Sequence, residues 1–384
     1  MYLSSSDFRT SFRKSKKLAQ HKHICGNKEK PPCSIPRLLF LFLCYTGLNK
    51  ESDTCALYRI TTLTFNLVLI CTNISSWYLI WQMSKIPNLE VELARLTCYL
   101  FAVAIYYSVR RKRKLLTKTI KIMSRISSPS SLHERKLNIL VLMILCMPIF
   151  FSLSLLLLAA NPTDSKKTST IKEFLTGFRF YCYALVHPTF TNLVAFLYCV
   201  LCQRCYSFID NLTEEISESP AKLFNPAKQI AVLKRKATID DVLKNVQNIF
   251  SFASFFIVTA NFLSCGAVIA WALTNQLKDY QTFMAIRSVY SVVNSFASLT
   301  SVLWIAGELP IRVQRLKEAF YEKAHRRLLS AHHHLKEPEL KRELLEKSDH
   351  AFTACNIIHF RRSTLLVVFG TLLTYTVLVV SEVN

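Results

Sequence analysis

Residues 369–384 read FGTLLTYTVLVVSEVN, an apolar run interrupted by a Thr-Tyr pair and closing on Ser381, Glu382, Val383 and Asn384. The last residues of a soluble domain tend to fray into water, whereas this stretch has the composition of a segment buried in lipid. The rest of the sequence agrees. Of its 384 residues 51% are apolar and 19% charged, and Gly is scarce at 6, which excludes a disordered chain and a fibrous repeat. The balance of 48 Lys and Arg against 25 Asp and Glu, a formal +23, could mark a nucleic-acid binder, but the basic residues sit between long apolar segments and do not gather in one domain. No nucleic-acid partner is expected.

Runs near the ~20 residues that cross a bilayer as a helix occur seven times: Ile60–Trp81, Val91–Val109, Leu137–Ala160, Phe174–Val200, Ile249–Leu273, Phe283–Ala306 and Ser363–Val380. An eighth run, Ile35–Leu48, has only fourteen residues and reads as an interfacial or packed pre-helix. The opening MYLSSSDFRTSFRKSKKLAQHKH does not resemble a cleaved secretory signal and reads as a cytosolic tail. The fold class expected is all-α, a seven-transmembrane helical membrane protein with helical cytosolic extensions. Its expected divisions are a tail and pre-helix at 1–56, spans one to six at 57–309, cytosolic anchor helices at 310–360 and the seventh span at 361–384.

The basic residues give the direction. Forty of the 48 fall in the N-terminal segment and in the connections after spans two, four and six. The other eight are Lys85, Arg95, Lys166, Lys167, Lys172, Arg179, Lys278 and Arg287. By the positive-inside rule the N-terminus is inside and, after seven crossings, the C-terminus outside. Trp77, Tyr78, Trp81, Trp271 and Tyr280 fit aromatic belts at outer span ends. A receptor signalling through G proteins has seven spans in the opposite orientation and an outer disulfide, whereas here the thirteen Cys fall in spans or on the inner side, as free thiols. A transporter reading lacks an internal repeat or paired broken helices.

The outer connections are too short for a separate domain, so anything sensed outside binds among the helices. The inner connections read as helix. In one of them Ile230, Leu233 and Ala237, then Ile239, Val242, Val246 and Ile249, recur at steps of three and four. After the sixth span two amphipathic stretches are broken near Pro338. On the seventh span Thr364, Val368, Thr371, Tyr375, Leu378 and Glu382 share one face. Such a stripe serves either as hydroxyl glue between helices or as the lining of a pore repeated around a symmetry axis.

The stretch HFRRSTLLVVFGTLLTYTVLVVSE, 359–382, resembles the seventh-span signature of insect-type gustatory receptors, in which Thr-Tyr, five apolar residues and Gln-Phe close the helix. Thr374 and Tyr375 are followed by TVLVV, and Arg362 and Ser363 stand where that family has a basic residue and Ser; Ser381 and Glu382 replace Gln-Phe. The pre-helix, the seven spans and the inner N-terminus extend the likeness. The resemblance implies a ligand-gated cation channel in the plasma membrane, a homotetramer or a heterotetramer with related receptor subunits, opened by a small-molecule tastant and surrounded by membrane lipid. It implies that the stripe lines the pore and that the ligand pocket lies in the outer half of the bundle. Losing Gln-Phe leaves a non-conducting co-receptor subunit as an alternative. Glu382 would ring the outer mouth or stand solvated near the end of the chain.

For the pocket the candidates are Phe180, Tyr181, Tyr183 and His187 of the fourth span, Trp271 of the fifth, and Arg287 and Tyr290 of the sixth. Aromatics with a few polar groups suit sugars and amphipathic molecules, although aromatics at span ends also serve as belt or core. Pro188 should kink the fourth helix. Cys199, Cys202 and Cys205 lack a fourth ligand at metal spacing and read as free thiols or palmitoylation sites. His332, His333 and His334 read as a solvated tract. Asn211-Leu-Thr213, Asn73-Ile-Ser75 and Asn161-Pro-Thr163 are unsuited to glycosylation. With no phosphate loop, dinucleotide fingerprint, nucleophile elbow or hydrolase motif, neither an enzyme nor a cofactor or metal is expected.

Overall fold

The computed structural model describes residues 35–49, 56–82, 89–126, 131–159, 170–274, 282–330 and 352–383. The short α1, Arg37–Tyr45, is followed by α2, Ala56–Gln82; α3, Leu89–Arg111; α4, Arg113–Ile126; and α5, Ser131–Ala159. Then come α6, Thr170–Ala184, and α7, Thr191–Glu218, separated by an irregular turn at Leu185–Phe190, and two 49-residue helices, α8, Pro226–Thr274, and α9, Thr282–Ser330. A two-stranded hairpin, β1 Thr353–Ala354 and β2 Ile358–His359, leads into α10, Arg362–Val383. The stretches around Pro338 and the His332–His334 tract lie outside the described residues.

Each expected span coincides with a helix, and the chain is an all-helical multi-pass membrane protein. Five segments are long and apolar enough to cross a membrane by length and composition: those within α2, α5, α6 with α7, α8 and α9; α10 adds a shorter apolar stretch, Arg362–Leu378. The seventh, α3, carries Arg95 near its start and packs along α8, burying Ala102, Ile105, Tyr106 and Val109. Exposed apolar rows run along the outside: Ile60, Leu63, Leu67, Ile70, Ile74 and Trp81 on α2, and Ile139, Leu142, Met143, Phe150, Leu153 and Leu157 on α5. A chain facing water would rarely leave such continuous rows uncovered; facing hydrocarbon, they cost nothing.

At 1.5 Å per residue, α8 and α9 are each about 74 Å long, more than twice the ~30 Å hydrocarbon core. They therefore project far beyond it, toward the end that carries the basic connections. There Ile239, Val242, Val246 and Ile249 are buried as the spacing predicts. Of the upstream set only Leu233 packs against the core. Ile230 and Ala237 face outward, and the buried face carries Gln229, Val232 and Lys236 instead. The polar members of this face find local partners: Gln229 Nε2 donates to the Phe224 carbonyl at 3.1 Å, although its buried Oε1 has no partner, and Lys236 pairs with Asp240 at 2.6 Å. A buried polar group so paired escapes part of its burial cost. Apolar spacing alone thus misplaces this face by one residue.

The middle of the bundle belongs to α7, where Tyr198, Leu201, Cys202 and Cys205 are enclosed. Cys199, Cys202 and Cys205 all lie in this core, which corrects the palmitoylation expectation, since a lipid transferase needs an accessible thiol. The pre-helix α1 packs into the bundle, with Leu39, Leu43 and Leu48 fully buried. It ends at Gly47, whose φ of +72° an L side chain rarely adopts, and an added Cβ would sit 2.5 Å from Thr62 Cγ2.

Two substitutions separate these causes. Gly47→Ala is expected to lower the thermal midpoint of the detergent-purified protein by about 2 °C or more. Gly370→Ala, where the new methyl meets nothing within 4 Å, should leave the midpoint unchanged or raise it through better helix propensity. Equal midpoints for wild type and Gly47→Ala would refute the steric account of this turn.

Candidate functional site

The candidate site forms where the fourth span breaks. His187 has extended backbone angles, φ −145° and ψ 125°, inside an otherwise helical path, and Pro188 lacks the N–H that would continue the helix. The kink expected at Pro188 is thus a full interruption of the helix. Val186, His187, Pro188, Thr189 and Phe190 are all buried, which is where irregular backbone can survive at membrane depth. Aromatic rings pack around it: Phe190 lies 5.3 Å from Phe65 and 6.0 Å from Tyr106, and the Tyr99 ring meets His187 edge-on at 6.1 Å.

Beside the break is a cavity of about 50 Å³ between α3, α5, α6, α8 and α9, at the end of the bundle away from the basic connections. Phe180, Tyr183, His187, Arg287 and Tyr290, five of the seven residues singled out from the sequence for the pocket, line it together with Arg95, Tyr99, Phe151 and Ser264. Trp271 does not; its ring lies 5.8 Å from the Arg95 guanidinium, behind the wall. Tyr181 is also outside the lining. Arg95, Tyr99, Phe151 and Ser264 escaped the sequence reading because each sits inside a span whose apolar run gives no sign of which face turns inward.

The cavity wall is held by hydrogen bonds between helices. The Tyr183 and Ser75 hydroxyls are 2.9 Å apart, those of Tyr290 and Thr189 3.2 Å, and those of Ser264 and Ser291 2.9 Å. Phe151 stacks on Tyr290 at 4.3 Å. His187 Nδ1 lies 3.3 Å from the Thr191 hydroxyl, while its buried Nε2 has no hydrogen-bond partner.

At the other end of the bundle, α10 is anchored by features that sequence spacing did not announce. In the hairpin turn Cys355 and Asn356 both take positive φ, +53° and +59°, and Ile357 N donates to Ala354 O at 2.9 Å, the geometry of a type I′ turn. Gln247 of α8 grips β1: its Nε2 donates to Thr353 O at 2.7 Å, and Thr353 N donates to its Oε1 at 3.1 Å. Phe352 and Phe360 flank the Tyr198 ring at 5.8 and 6.5 Å. Burial raises the Cys355 thiol pKa, against the pull of nearby Lys112, so it stays a neutral thiol.

Where α10 begins, Glu308 of α9 accepts from both Arg312 and Arg362, Arg312 also pairs with Asp210 of α7, and the Arg362 guanidinium lies 5.0 Å from the Trp304 ring centroid. Gly307 allows the close approach; a Cβ there would stand 3.0 Å from the backbone of Arg361 and Arg362.

The stripe on α10 runs along the border of its packed face. Thr364 and Val368 are half-buried, whereas Thr371, Tyr375 and Leu378 are exposed; Glu382 lies in the last turn. The packed face itself is marked by Leu372 and by Phe369, which stacks on Phe296 at 5.3 Å. Tyr375 rests over Gly266 of α8. Within the chain these hydroxyls are not glue between helices. Thr364 donates to His359 O at 2.8 Å, Thr371 to Val367 O at 2.8 Å, Thr374 to Gly370 O at 2.9 Å and Ser381 to Leu378 O at 2.7 Å. Each is satisfied by its own segment.

No protein-family model and no curated protein matches the chain. Among solved structures, the insect olfactory receptor OR5 from Machilis hrabei superposes with a TM-score of 0.68 at 13% identity, over 88% of this chain and 92% of that one. The same receptor in complex with eugenol gives a TM-score of 0.64 at 12% identity, covering 92% of this chain and all of that one. The chain therefore shares the fold of that olfactory receptor over most of its length, and both matched structures are of a receptor, not an enzyme.

The α9–α10 junction yields a direct test. Glu308→Gln leaves Arg312 and Arg362 without their shared carboxylate and should raise the rate of trypsin cleavage at Arg361–Arg362 severalfold in detergent, with a lower thermal midpoint. Unchanged cleavage would mean that the hairpin alone holds the start of α10.

Proposed function

We propose that the chain is a subunit of a ligand-gated cation channel of the insect chemoreceptor type in the plasma membrane, with the N-terminus inside and the C-terminus outside. The observation that carries the reading is the cavity at the helix break. It is small, aromatic and polar, enclosed within the bundle, and set in a fold shared with a receptor solved in complex with eugenol. A cavity with a few convergent polar groups is the form a small-molecule site takes.

In this reading Phe180, Tyr183, His187, Arg287 and Tyr290 contact the ligand, with Trp271 supporting Arg95 from behind. Ligand binding moves α8 and α9, which wall the cavity at one end and hold α10 at the other. The stripe of Thr364, Val368, Thr371, Tyr375, Leu378 and Glu382 lines a pore when four subunits, identical or related, stand around one axis. The likeness of Thr374, Tyr375 and the residues up to Ser381 to the gustatory signature favours a tastant as the ligand. Four Glu382 carboxylates at the outer mouth would favour cations.

Whole-cell current in cells expressing the chain, with its surface level measured, tests the proposal. A panel of sugars, bitter compounds, amines and organic acids is expected to include at least one that evokes a cation current. His187→Ala should shift the effective concentration upward by about tenfold or more, and Glu382→Gln should alter cation permeability. An epitope after Asn384 should be labelled on unpermeabilised cells. An epitope reached only after permeabilisation would overturn the orientation and restore the G-protein reading.

A further inference from the structure

Resting on the receptor reading above, we infer that the cavity at the helix break takes a small organic anion, a short-chain carboxylate, in preference to a sugar or an amine. The charges of its wall point that way. Among the described residues that line it there is no Asp or Glu, while Arg95 and Arg287 both contribute guanidinium groups. Among the described residues no carboxylate pairs with Arg287, which lines the cavity beside Tyr99. A half-buried ionised group inside a span gains from a counter-charge, and a ligand carboxylate supplies one with a geometry that matches the guanidinium fork.

A second, independent observation falls on the same wall. His187 is 93% buried by its 7% exposure, lines the cavity and leaves Nε2 without a partner. In the tautomer in which the Thr191 hydroxyl donates to Nδ1, Nε2 carries the proton and is a donor to the cavity. Arg287 and His187 thus give convergent donors on a wall that has no acidic acceptor among the described residues, which suits an anion. An amine would face two guanidinium groups and, among the described residues, no carboxylate. A sugar is too bulky for about 50 Å³ of free space.

The dimensions narrow the class. About 50 Å³ of free space, against about 150 Å³ for a cavity that takes benzene, limits the class to acids of two or three carbon atoms. The stacked pair Phe151 and Tyr290, with Phe180, covers its alkyl end. A bulkier acid would have to part that stack.

The test is the thermal midpoint of the purified full-length chain titrated with propionate, and with propionamide as the neutral isostere. Propionate is expected to raise the midpoint in a saturable manner and propionamide to leave it unchanged. Arg287→Gln should weaken the propionate response at least about tenfold. Arg287→Lys, which retains the charge and guards against a folding defect in the first variant, should keep part of it. No propionate response, an equal response to propionamide, or an unaltered response in Arg287→Gln would each overturn the inference. Because binding is read without current, the two claims fail separately. Currents evoked by other ligands without propionate binding would remove the anion site and leave the channel, whereas propionate binding with no current in any assembly would leave the site and remove the channel.

Discussion

Hydrocarbon offers no hydrogen bonds, so a helix that crosses it can break only where the protein closes over the break. In this chain the interruption at Leu185–Phe190 is the constraint around which the rest is arranged. Tyr99, Phe65 and Tyr106 wall it from lipid, Thr189 ties it to α9 through Tyr290, and Thr191 takes up one nitrogen of His187. The helices that shelter the break cannot also fill the space beside it, because α6 and α7 no longer share an axis there. The cavity is the consequence, and its polar groups are those a water-free break can support.

The same helices connect that cavity to the far end of the molecule. One pair of 49-residue helices contributes Ser264, Arg287 and Tyr290 to the cavity and Gln247 and Glu308 to the anchoring of the last helix. A rigid helix moves as a unit more easily than it bends, so a small displacement at one end is delivered at the other. The anchor has two parts of different character: a hairpin that grips through directed hydrogen bonds, and a cluster of Asp210, Arg312, Glu308 and Arg362 held by charge. The first fixes position, and the second can be re-formed after a shift.

Much of this arrangement is legible in the sequence because lipid imposes a simple rule on composition. The seven apolar runs are visible, Pro188 marks the break, and aromatic and ionised residues near span ends mark part of the cavity wall. What escapes is whatever depends on which side of an apolar helix turns inward. Ile230 reads as core and is exposed, because in its stead Gln229 and Lys236 are buried with local partners. Cys199, Cys202 and Cys205 read as a boundary cluster and lie in the core. The hairpin at Cys355–Asn356 is too short for periodicity and lacks the Gly that announces such turns, and Glu308 meets Arg362 across 54 positions of sequence. Contacts of that range leave no local trace.

The central claim is that the stripe on α10 faces a water-filled path which opens when the cavity is occupied. Cysteines placed singly at Thr371, Tyr375 and Leu378, and for comparison at Leu366 and Leu373 on the exposed apolar side, can be challenged from outside with a positively charged methanethiosulfonate during ligand-evoked current. The account predicts rapid block at the three stripe positions, faster in the presence of ligand, and little or none at Leu366 and Leu373. Block at Leu366 and Leu373 with the stripe positions silent would contradict it and turn this helix around.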